Sequence, residues 1–301
     1  MKTYPTFVIV VFIRGLTSYF SPGKNVWLGV PNSNNRWLYM TSQTLFDEET
    51  IQALREVFGK FPKELIDLLI VESENDPPTG PHEGTYSRHH EHGEHPPLQH
   101  ITHERGCPAC NEAKVLAEEL MKTSEGKLKF KIISKNSEEA KKLHVRYVPA
   151  FIYDVPKRNI RYYGLPSGQE FAPFIYVHKY IATGEISLPG NVAELINRID
   201  TPLHVKIFVT PECPYCSIVV DALNQMAIIN DNLLVETIEA VEHPIEADIY
   251  EVSYVPDVII TDPSKQEEYG VEPIERISGY LPPDKIAKIL LVVAEKIKKL
   301  H

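Results

Sequence analysis

The chain has 301 residues, of which 43% are hydrophobic and 24% are charged, and its formal net charge is −10. This length accommodates two domains of ordinary size, each with its own core. The acidic balance argues against nucleic-acid binding, which needs a clustered basic surface, and no apolar run has the length that a membrane span requires.

The N-terminal segment, residues 1–45, differs from the rest of the chain. Its apolar run at residues 7–13 is short and is followed at once by Arg14, without the small-residue cleavage site of a signal peptide. We expect residues 1–45 to be an N-terminal extension that is disordered, or residues 1–39 to precede a true start at Met40. An ordinary N-terminal strand and hairpin is the alternative. A capping-type start and a helical apolar period then predict a helix within residues 41–61.

Three sequence landmarks occur twice in the chain, in the same order and at nearly the same spacing. They are a Cys-x-x-Cys motif, a Val-x-Tyr-Val-Pro motif followed by an apolar run, and a segment rich in glycine and proline. Their positions are 107–110, 145–149 and 161–168 in the first copy, and 213–216, 252–256 and 276–284 in the second. We infer two copies of one domain, the first over residues 46–188 and the second over residues 189–301.

Apolar periodicity predicts the same order of elements in both copies, namely strand, helix, strand, helix, strand, strand and helix. In the second copy these elements are residues 204–209, 216–228, 232–240, 243–252, 257–261, 273–278 and 284–300. In the first copy they are residues 64–71, 110–121, 127–133, 137–143, 150–154, 159–163 and 170–180. Residues 187–191, which contain proline and glycine, are predicted to interrupt the chain between the copies.

Each Cys-x-x-Cys motif lies at the start of a predicted helix. A thiolate rather than a thiol attacks a disulfide, and the free N–H groups and the dipole of a helix N-terminus stabilise a thiolate. Cys107 and Cys213 are therefore the predicted attacking residues. Cys110 and Cys216, one helical turn later, can reach the mixed disulfide and release the partner.

A cysteine pair can also be a buried hydrophobe, a structural bridge or a metal site. All four cysteines of the chain belong to the two motifs, so neither pair has a bridging partner elsewhere. A bridge within Cys-x-x-Cys closes a loop too small to constrain the chain much. Redox and metal-binding uses remain, and the pattern favours redox chemistry.

The predicted order of elements, with Cys-x-x-Cys at the first helix and Val-Pro before the third strand, is similar to the thioredoxin fold. A tandem of two such units that ends in a Cys-Pro-Tyr-Cys copy resembles the protein disulfide oxidoreductases of hyperthermophilic archaea, glutaredoxin-like relatives of protein disulfide isomerase. The resemblance covers residues 46–301 apart from one insertion. It implies an α/β fold of two tandem thioredoxin-like (glutaredoxin-like) domains, each a central mixed sheet flanked by helices.

The same resemblance implies an enzyme that reduces, forms or reshuffles protein disulfides through a mixed disulfide on Cys213 or Cys107. Its redox-active cysteines need no cofactor. Its implied partners are protein disulfides and a thioredoxin reductase-like electron donor, with neither nucleic acid nor membrane. Two free Cys-x-x-Cys pairs are typical of a reducing compartment, so we expect the protein in the cytoplasm.

The resemblance also gives a role to the two Val-Pro pairs. In the similar proteins this proline is cis and lies against the Cys-x-x-Cys motif, and the residue before it binds an extended substrate segment through its main chain. Here the residues are Val148 and Pro149 in the first copy and Val255 and Pro256 in the second. An ordinary edge-strand proline is the alternative.

One position departs from the thioredoxin pattern. Thioredoxins carry a buried acid in the strand, six residues before the first cysteine, and Ile207 occupies that position in the second copy. Together with the glutaredoxin-type Cys-Pro-Tyr-Cys sequence, this predicts a second site that is less reducing than thioredoxin. In the first copy the insertion prevents the comparison.

That insertion, at about residues 74–106, holds seven of the twelve histidines. It is rich in proline and poor in apolar residues, so we expect a loop without a core of its own. It is either a solvated loop over the first active site, a loose site for transition metals, or part of a zinc site made by His100, His103, Cys107 and Cys110. Without zinc, protonated histidines near Cys107 would lower the pKa of its thiol.

The sequence therefore supports one main function, one alternative from a different class, and a mixed possibility with one catalytic unit and one degenerate unit that binds partners. The main one is a thiol–disulfide oxidoreductase with Cys213, Cys216, Cys107 and Cys110 as catalytic residues. The alternative is a zinc- or metal-binding protein that uses the histidine-containing site, with at most one redox-active unit.

Overall fold

The computed structural model describes residues 44–72, 107 and 109–299. Nearly all of the predicted N-terminal extension, the histidine-rich insertion, and with it His100 and His103, lie outside the described residues.

The helices and strands follow one another in the predicted order. Those of the first copy are α1 (Glu48–Phe58), β1 (Leu65–Val71), α2 (Cys110–Thr123), β2 (Leu128–Ser134), α3 (Glu138–Lys142), β3 (Ala150–Ile152), β4 (Ile160–Tyr163) and α4 (Phe171–Thr183), with a 3-10 turn at Gly168–Glu170 before α4. Those of the second copy are α5 (Gly190–Asn197), β5 (Leu203–Val209), α6 (Pro214–Ile229), β6 (Leu233–Glu239), α7 (Pro244–Ile249), β7 (Asp257–Thr261), β8 (Glu275–Ser278) and α8 (Pro283–Lys298).

Helix α5 was not predicted from the sequence. The Pro-Gly pair indicated only an interruption there, and eight residues give too little periodicity to identify a helix. Its Val192 and Ile196 are nevertheless buried, so packing rather than local propensity stabilises it. Helix α5 precedes β5 as α1 precedes β1, which extends the repeat by one element.

Within the described residues, one eight-stranded mixed sheet runs through both copies, in the order β2-β1-β3-β4-β6-β5-β7-β8. Each copy has the same pattern: β1 pairs parallel with β2 and antiparallel with β3, just as β5 pairs with β6 and β7. The antiparallel pairs β3–β4 and β7–β8 complete each half. The α/β class and the thioredoxin-like arrangement of each copy are thus confirmed.

The two four-stranded sheets predicted for the copies are joined by a parallel pairing of β4 with β6. Its register runs from Ile160 opposite Val235 to Tyr163 opposite Ile238. Each of these strands would otherwise be an exposed edge with unpaired main-chain groups. The pairing satisfies those groups, and all four residues of β4 are buried as a result.

Helices cover both faces of this sheet unequally. The larger apolar cluster draws its residues from α1, α2, α4, α5, α6 and α8, whereas the cluster on the other face includes Ala140 of α3 and Ala247 of α7. Strand β5 is buried along its whole length, as expected for a strand covered on both faces. In the part of the chain that the structure describes, no helix combines the length and the apolar character needed to cross a bilayer.

Asn159, at the start of the junction, ties β4 to the second copy. Its side-chain amide donates hydrogen bonds to the main-chain oxygens of Ala227 and Leu233, at 3.1 and 2.8 Å. Its own carbonyl accepts the N–H of Val235 at 2.8 Å. Asn159 is only 5% exposed, so these carbonyls cannot easily turn to water if the amide is removed.

We therefore expect Asn159→Ala to lower the free energy of unfolding by about 2 kcal/mol, because two buried acceptors lose their donor. Urea denaturation followed by circular dichroism measures this loss. Asn136→Ala, at an exposed position after β2, is the matched control and should change stability by less than about 0.5 kcal/mol. Equal effects of the two variants would contradict the role given to Asn159.

Candidate active site

Both Cys-x-x-Cys motifs form disulfides in this structure. The bonds join Cys107 to Cys110 and Cys213 to Cys216, with a Cα–Cα distance of 5.4 Å in each pair. Helix α6 begins directly after Cys213, and helix α2 begins at Cys110. The expected position of each pair at a helix N-terminus is therefore present in both copies.

The two cysteines of each pair differ in exposure. Cys110 and Cys216 are buried, at 4% and 0%, whereas Cys107 and Cys213 are half-buried. Another molecule can therefore reach the first cysteine of each pair and not the second. This order is the one that attack by the first cysteine and release by the second require.

Main-chain N–H groups face the sulfur atoms in both sites. The N–H of Cys216 points at the Sγ of Cys213 at 3.1 Å, in the first turn of α6. The N–H of Glu72, the residue after β1, lies 3.5 Å from the Sγ of Cys110. After reduction, the Cys216 N–H and the dipole of α6 would stabilise a thiolate at Cys213.

The Val148–Pro149 and Val255–Pro256 peptide bonds are both cis, as the resemblance implied. Both prolines are buried and both valines are half-buried.

The carbonyl of each cis proline accepts a hydrogen bond from a glycine of the third repeated landmark. Gly164 donates to Pro149 at 2.9 Å, and Gly279 donates to Pro256 at 2.8 Å. In each copy, the segment rich in glycine and proline thus holds the Val-Pro motif in place. A positive φ, 106° at Gly164 and 82° at Gly279, explains why both positions are glycine.

The surroundings of the two sites are otherwise unlike. Tyr147, which precedes the first Val-Pro pair, is 8% exposed, whereas its counterpart Tyr254 is 78% exposed. Beside the second site, the rings of Tyr215 and Tyr280 lie with their centroids 5.6 Å apart, and both are exposed. The second site thus presents an open aromatic surface, while the tyrosine next to the first Val-Pro pair is covered.

No acid occupies the thioredoxin position in either copy. Ile207 is fully buried in β5, and its counterpart two residues before the end of β1 is Leu69, also fully buried. The insertion hid this second comparison at the level of the sequence, because the spacing to Cys107 was lost. Strand β1 does carry a buried acid, Asp67, which pairs with His178 at 2.8 Å.

A buried acid that the sequence did not single out is Glu170, at the end of the 3-10 turn before α4. The N–H of Gln169 donates to the carbonyl of Pro211 at 2.8 Å, so this turn lies against the loop that leads to Cys213. Gly168 is required there, because a Cβ atom would come within 2.4 Å of the Pro211 oxygen. The sequence did not identify Glu170 because a glutamate before a helix is common. Only the fold places its turn against the second copy.

Glu170 is fully buried, and its carboxylate oxygens have no hydrogen-bond partner among the described residues. Burial, with a smaller contribution from the charge of Glu239, raises the pKa of Glu170 to about 8. The hydroxyl groups of Tyr153 and Tyr162 are likewise buried and unpaired within the described ranges. Glu170 can therefore hold or release a proton near neutral pH, in the element that contacts the Cys213 loop.

The zinc alternative stays a prediction. Within residues 44–72, 107 and 109–299, no group of three or more histidine, cysteine, aspartate or glutamate side chains is arranged to hold a metal ion. Two of the four proposed ligands, His100 and His103, lie outside these ranges. The other two, Cys107 and Cys110, are joined to each other by a disulfide in this structure.

Two sequence comparisons match parts of the chain to known proteins. Residues 203–267 match the family model of a thioredoxin domain. Over 129 residues the chain is 26% identical to the AhpF component of alkyl hydroperoxide reductase from Pseudomonas aeruginosa, and the match covers 42% of this chain and 25% of that protein. The chain thus spans about a quarter of the length of this relative.

Solved structures match over most of the chain. A protein disulfide oxidoreductase from Aeropyrum pernix superimposes with a TM-score of 0.62 at 19% identity, over 83% of this chain and 94% of that one. The N-terminal domain of the alkylhydroperoxide reductase AhpF from Enterococcus faecalis gives a TM-score of 0.61 at 19% identity, over 81% and 99%. These matches establish a tandem thioredoxin-type fold for the chain.

The raised pKa of Glu170 leads to a prediction about stability. Its value rises from 4.5 to about 8 on folding, so the folded chain favours the protonated carboxyl. The contribution of this preference to the free energy of unfolding is fully present below the pKa of the unfolded chain. It is lost as the pH rises from about 4.5 towards 8, where the folded carboxyl ionises. Glutamine keeps the shape of the protonated acid without titrating. We expect Glu170→Gln to raise Tm by about 4 °C at pH 8 and by much less at pH 5.

Thermal unfolding followed by circular dichroism at the two pH values measures this difference. Glu185→Gln, at an exposed position after α4, is the control and should leave Tm nearly unchanged at both. A Tm change in Glu170→Gln that is the same at pH 5 and pH 8 would contradict a buried, uncompensated carboxyl.

Proposed function

We propose that this chain is a thiol–disulfide oxidoreductase that acts on protein disulfides. The observation that carries the proposal is the matched arrangement in both copies. Each has a half-buried first cysteine, a buried second cysteine at the start of a helix, and a cis Val-Pro pair in the loop before the third strand. The fold that it shares with the Aeropyrum pernix protein disulfide oxidoreductase supports the proposal.

In the proposed reaction the reduced Cys213 thiolate attacks one sulfur of a substrate disulfide. A mixed disulfide forms, and the other substrate sulfur leaves as a thiolate that takes up a proton. Cys216, deprotonated, then attacks the Sγ of Cys213 and expels the second substrate thiolate. Two electrons pass to the substrate, and the enzyme is left with the Cys213–Cys216 disulfide. Substrate oxidation follows the same steps in reverse, and Cys107 and Cys110 act in the same way in the first copy.

We assign substrate binding to Val255 and Pro256 in the second copy and to Val148 and Pro149 in the first. An extended substrate segment would pair with the main chain of the valine, in the manner of an added β-strand. The exposed rings of Tyr215 and Tyr280 give the second site additional apolar surface for such a segment.

We further propose that the two working units are residues 46–188 and 189–301, and that the reaction uses no cofactor besides the cysteines. A thioredoxin reductase-like protein returns the enzyme to the dithiol form in the cytoplasm. The alternative function is zinc binding by His100, His103, Cys107 and Cys110. The observation behind it is the compact spacing of these four residues, and it would leave only the second site active.

The test is insulin reduction by dithiothreitol, with the wild type, Cys107→Ser and Cys213→Ser compared and zinc measured on the same samples. We expect Cys213→Ser to lose the whole contribution of the second site to the catalysed rate, because no other group at that site can form the mixed disulfide. The residual rate in each variant reports the contribution of the other site. No catalysis by the wild type would refute the proposed function.

The matched control exchanges the second cysteine in place of the first. Cys216→Ser should accumulate a covalent complex with a protein substrate on a non-reducing gel, whereas Cys213→Ser should not, because only the first cysteine forms the mixed disulfide. Equal trapping by both variants would contradict the assigned roles. One equivalent of zinc that disappears in Cys107→Ser, with activity intact, would instead support the metal-site alternative for the first unit.

A further inference from the structure

Arg146 and Tyr147 immediately precede the Val148–Pro149 pair of the first site, and both reach into the second copy. Arg146 is 6% exposed and Tyr147 is 8% exposed. The corresponding residues of the second copy, Ser253 and Tyr254, are exposed. The same loop is therefore covered in the first site and open in the second, although the Val-x-Tyr-Val-Pro sequence is shared.

The Arg146 guanidinium bridges two buried carboxylates of the second copy. Its Nη2 donates to Glu236 at 2.7 Å, and its Nη1 donates to Glu246 at 3.0 Å. Nη1 also lies 3.3 Å from the carbonyl oxygen of Glu268. The rings of Tyr147 and Tyr269 flank the guanidinium, with centroids 5.2 and 5.9 Å from its central carbon. A planar, permanently charged fork suits this double bridge, which a lysine could not reproduce.

Tyr147 makes parallel contacts to the same region. Its hydroxyl donates to the Glu246 carboxylate. Its ring lies 4.8 Å from that of His243, in the loop before α7, and 5.3 Å from that of Tyr163 in β4. Two successive residues of the first loop are thus fixed by α7 and by the end of the β4–β6 junction.

The two carboxylates are themselves held rigidly. Glu236 accepts hydrogen bonds from Arg161 at 3.1 Å and from the Tyr163 hydroxyl at 2.9 Å, and it lies 2.7 Å from His204 Nε2. Burial alone would raise the pKa of Glu236, but Arg146, His204 and Arg161 outweigh it and hold that pKa well below its ordinary range. Glu246 is paired with the buried Lys206 of β5. Burial raises the pKa of Glu246 to about 7 against the opposing effect of Arg146, so only Glu236 is a firmly ionised partner. Both carboxyl groups are nevertheless buried and held by other partners, so Arg146 meets fixed groups rather than mobile surface ones.

A residue of the first copy also contacts this loop. The Lys135 ammonium, just after β2, donates to the carbonyl oxygen of Arg146 at 2.8 Å. The main chain of the loop is thereby held by the first copy and its side chains by the second. Val148 follows two residues later, so its main-chain direction depends on both.

We propose that Arg146 is a positioning residue: through Glu236 and Glu246, the second copy fixes the substrate-binding loop of the first site, which is therefore a composite of both copies. The second site has no such dependence, because Ser253 and Tyr254 are exposed. This inference rests on the proposed function, since it concerns how the Val148 main chain meets a protein substrate.

The test isolates each site in turn. The Cys213→Ser/Cys216→Ser protein retains only the first site, and Arg146→Lys is introduced into it. The variant keeps the positive charge but cannot bridge both carboxylates. We expect its KM for insulin to rise roughly tenfold, with kcat changed less than about twofold. Its rate with the small disulfide 5,5′-dithiobis(2-nitrobenzoate), which needs no main-chain pairing, should stay within about twofold.

Two controls accompany this measurement. Arg146→Lys in the Cys107→Ser/Cys110→Ser protein, which retains only the second site, should leave KM for insulin unchanged. Arg198→Lys, at an exposed position after α5, should change neither site. Tyr147→Phe removes one hydroxyl and should fold even if Arg146→Lys does not; we expect a smaller rise in KM at the first site, of about threefold.

The outcomes separate positioning from stability alone. A lower Tm with unchanged KM in both Arg146→Lys and Tyr147→Phe would overturn the proposal, because the contacts would then only hold the copies together. Equal losses with insulin and with the small disulfide would also overturn it. If the parent protein with only the first site shows no exchange with either disulfide, the proposed function of that site fails, and the positioning role fails with it.

Discussion

The parallel pairing of β4 with β6 is the interaction on which the rest of this structure depends. It joins two four-stranded sheets into one and buries two strands that would otherwise be open edges. Because β4 belongs to the first copy and β6 to the second, their pairing brings residues of both copies into contact. Asn159, Gln169 and Arg146 all lie in the first copy, and each forms a hydrogen bond with a residue of the second copy.

The junction also makes the two copies unequal. Two similar units joined through different edges form a head-to-tail contact, in which the paired strands β4 and β6 are not counterparts of each other. Tyr147 and Tyr254 hold the same place in the same motif, yet one is 8% and the other 78% exposed. The repeat therefore reproduced the cysteine pair and the cis Val-Pro bond without reproducing their surroundings.

Two glutamates illustrate how partners, rather than burial, decide the state of an ionisable group. Glu170 and Glu236 are both almost wholly inaccessible to solvent. Arg146, His204 and Arg161 hold the pKa of Glu236 low against the effect of burial. Glu170 has no partner within the described residues, so burial and the nearby Glu239 raise its pKa to about 8. Glu236 supports the junction as a fixed anion, whereas Glu170 can exchange a proton.

The sequence by itself determined the elements and the repeat. Alternating and helical apolar periods predicted the strands and all helices except α5, and the recurring Cys-x-x-Cys, Val-Pro and glycine landmarks predicted two thioredoxin-like copies. These features are local in the chain, so a pattern of residue types is enough to read them. The roles assigned to Cys213, Cys216, Cys107 and Cys110 stay predictions until the variants are measured.

Only the tertiary structure decided which parts of the two copies meet. The continuous sheet depends on which edge strands pair. The residues of β4 and β6 do not predict that these two strands pair with each other. Glu170 precedes an ordinary helix, so its sequence context does not mark it. Arg146 occupies the variable second position of the Val-x-Tyr-Val-Pro motif, where the second copy has Ser253. The partners that Arg146 meets in the second copy lie 90 to 122 positions further along the chain, where short-range patterns carry no information.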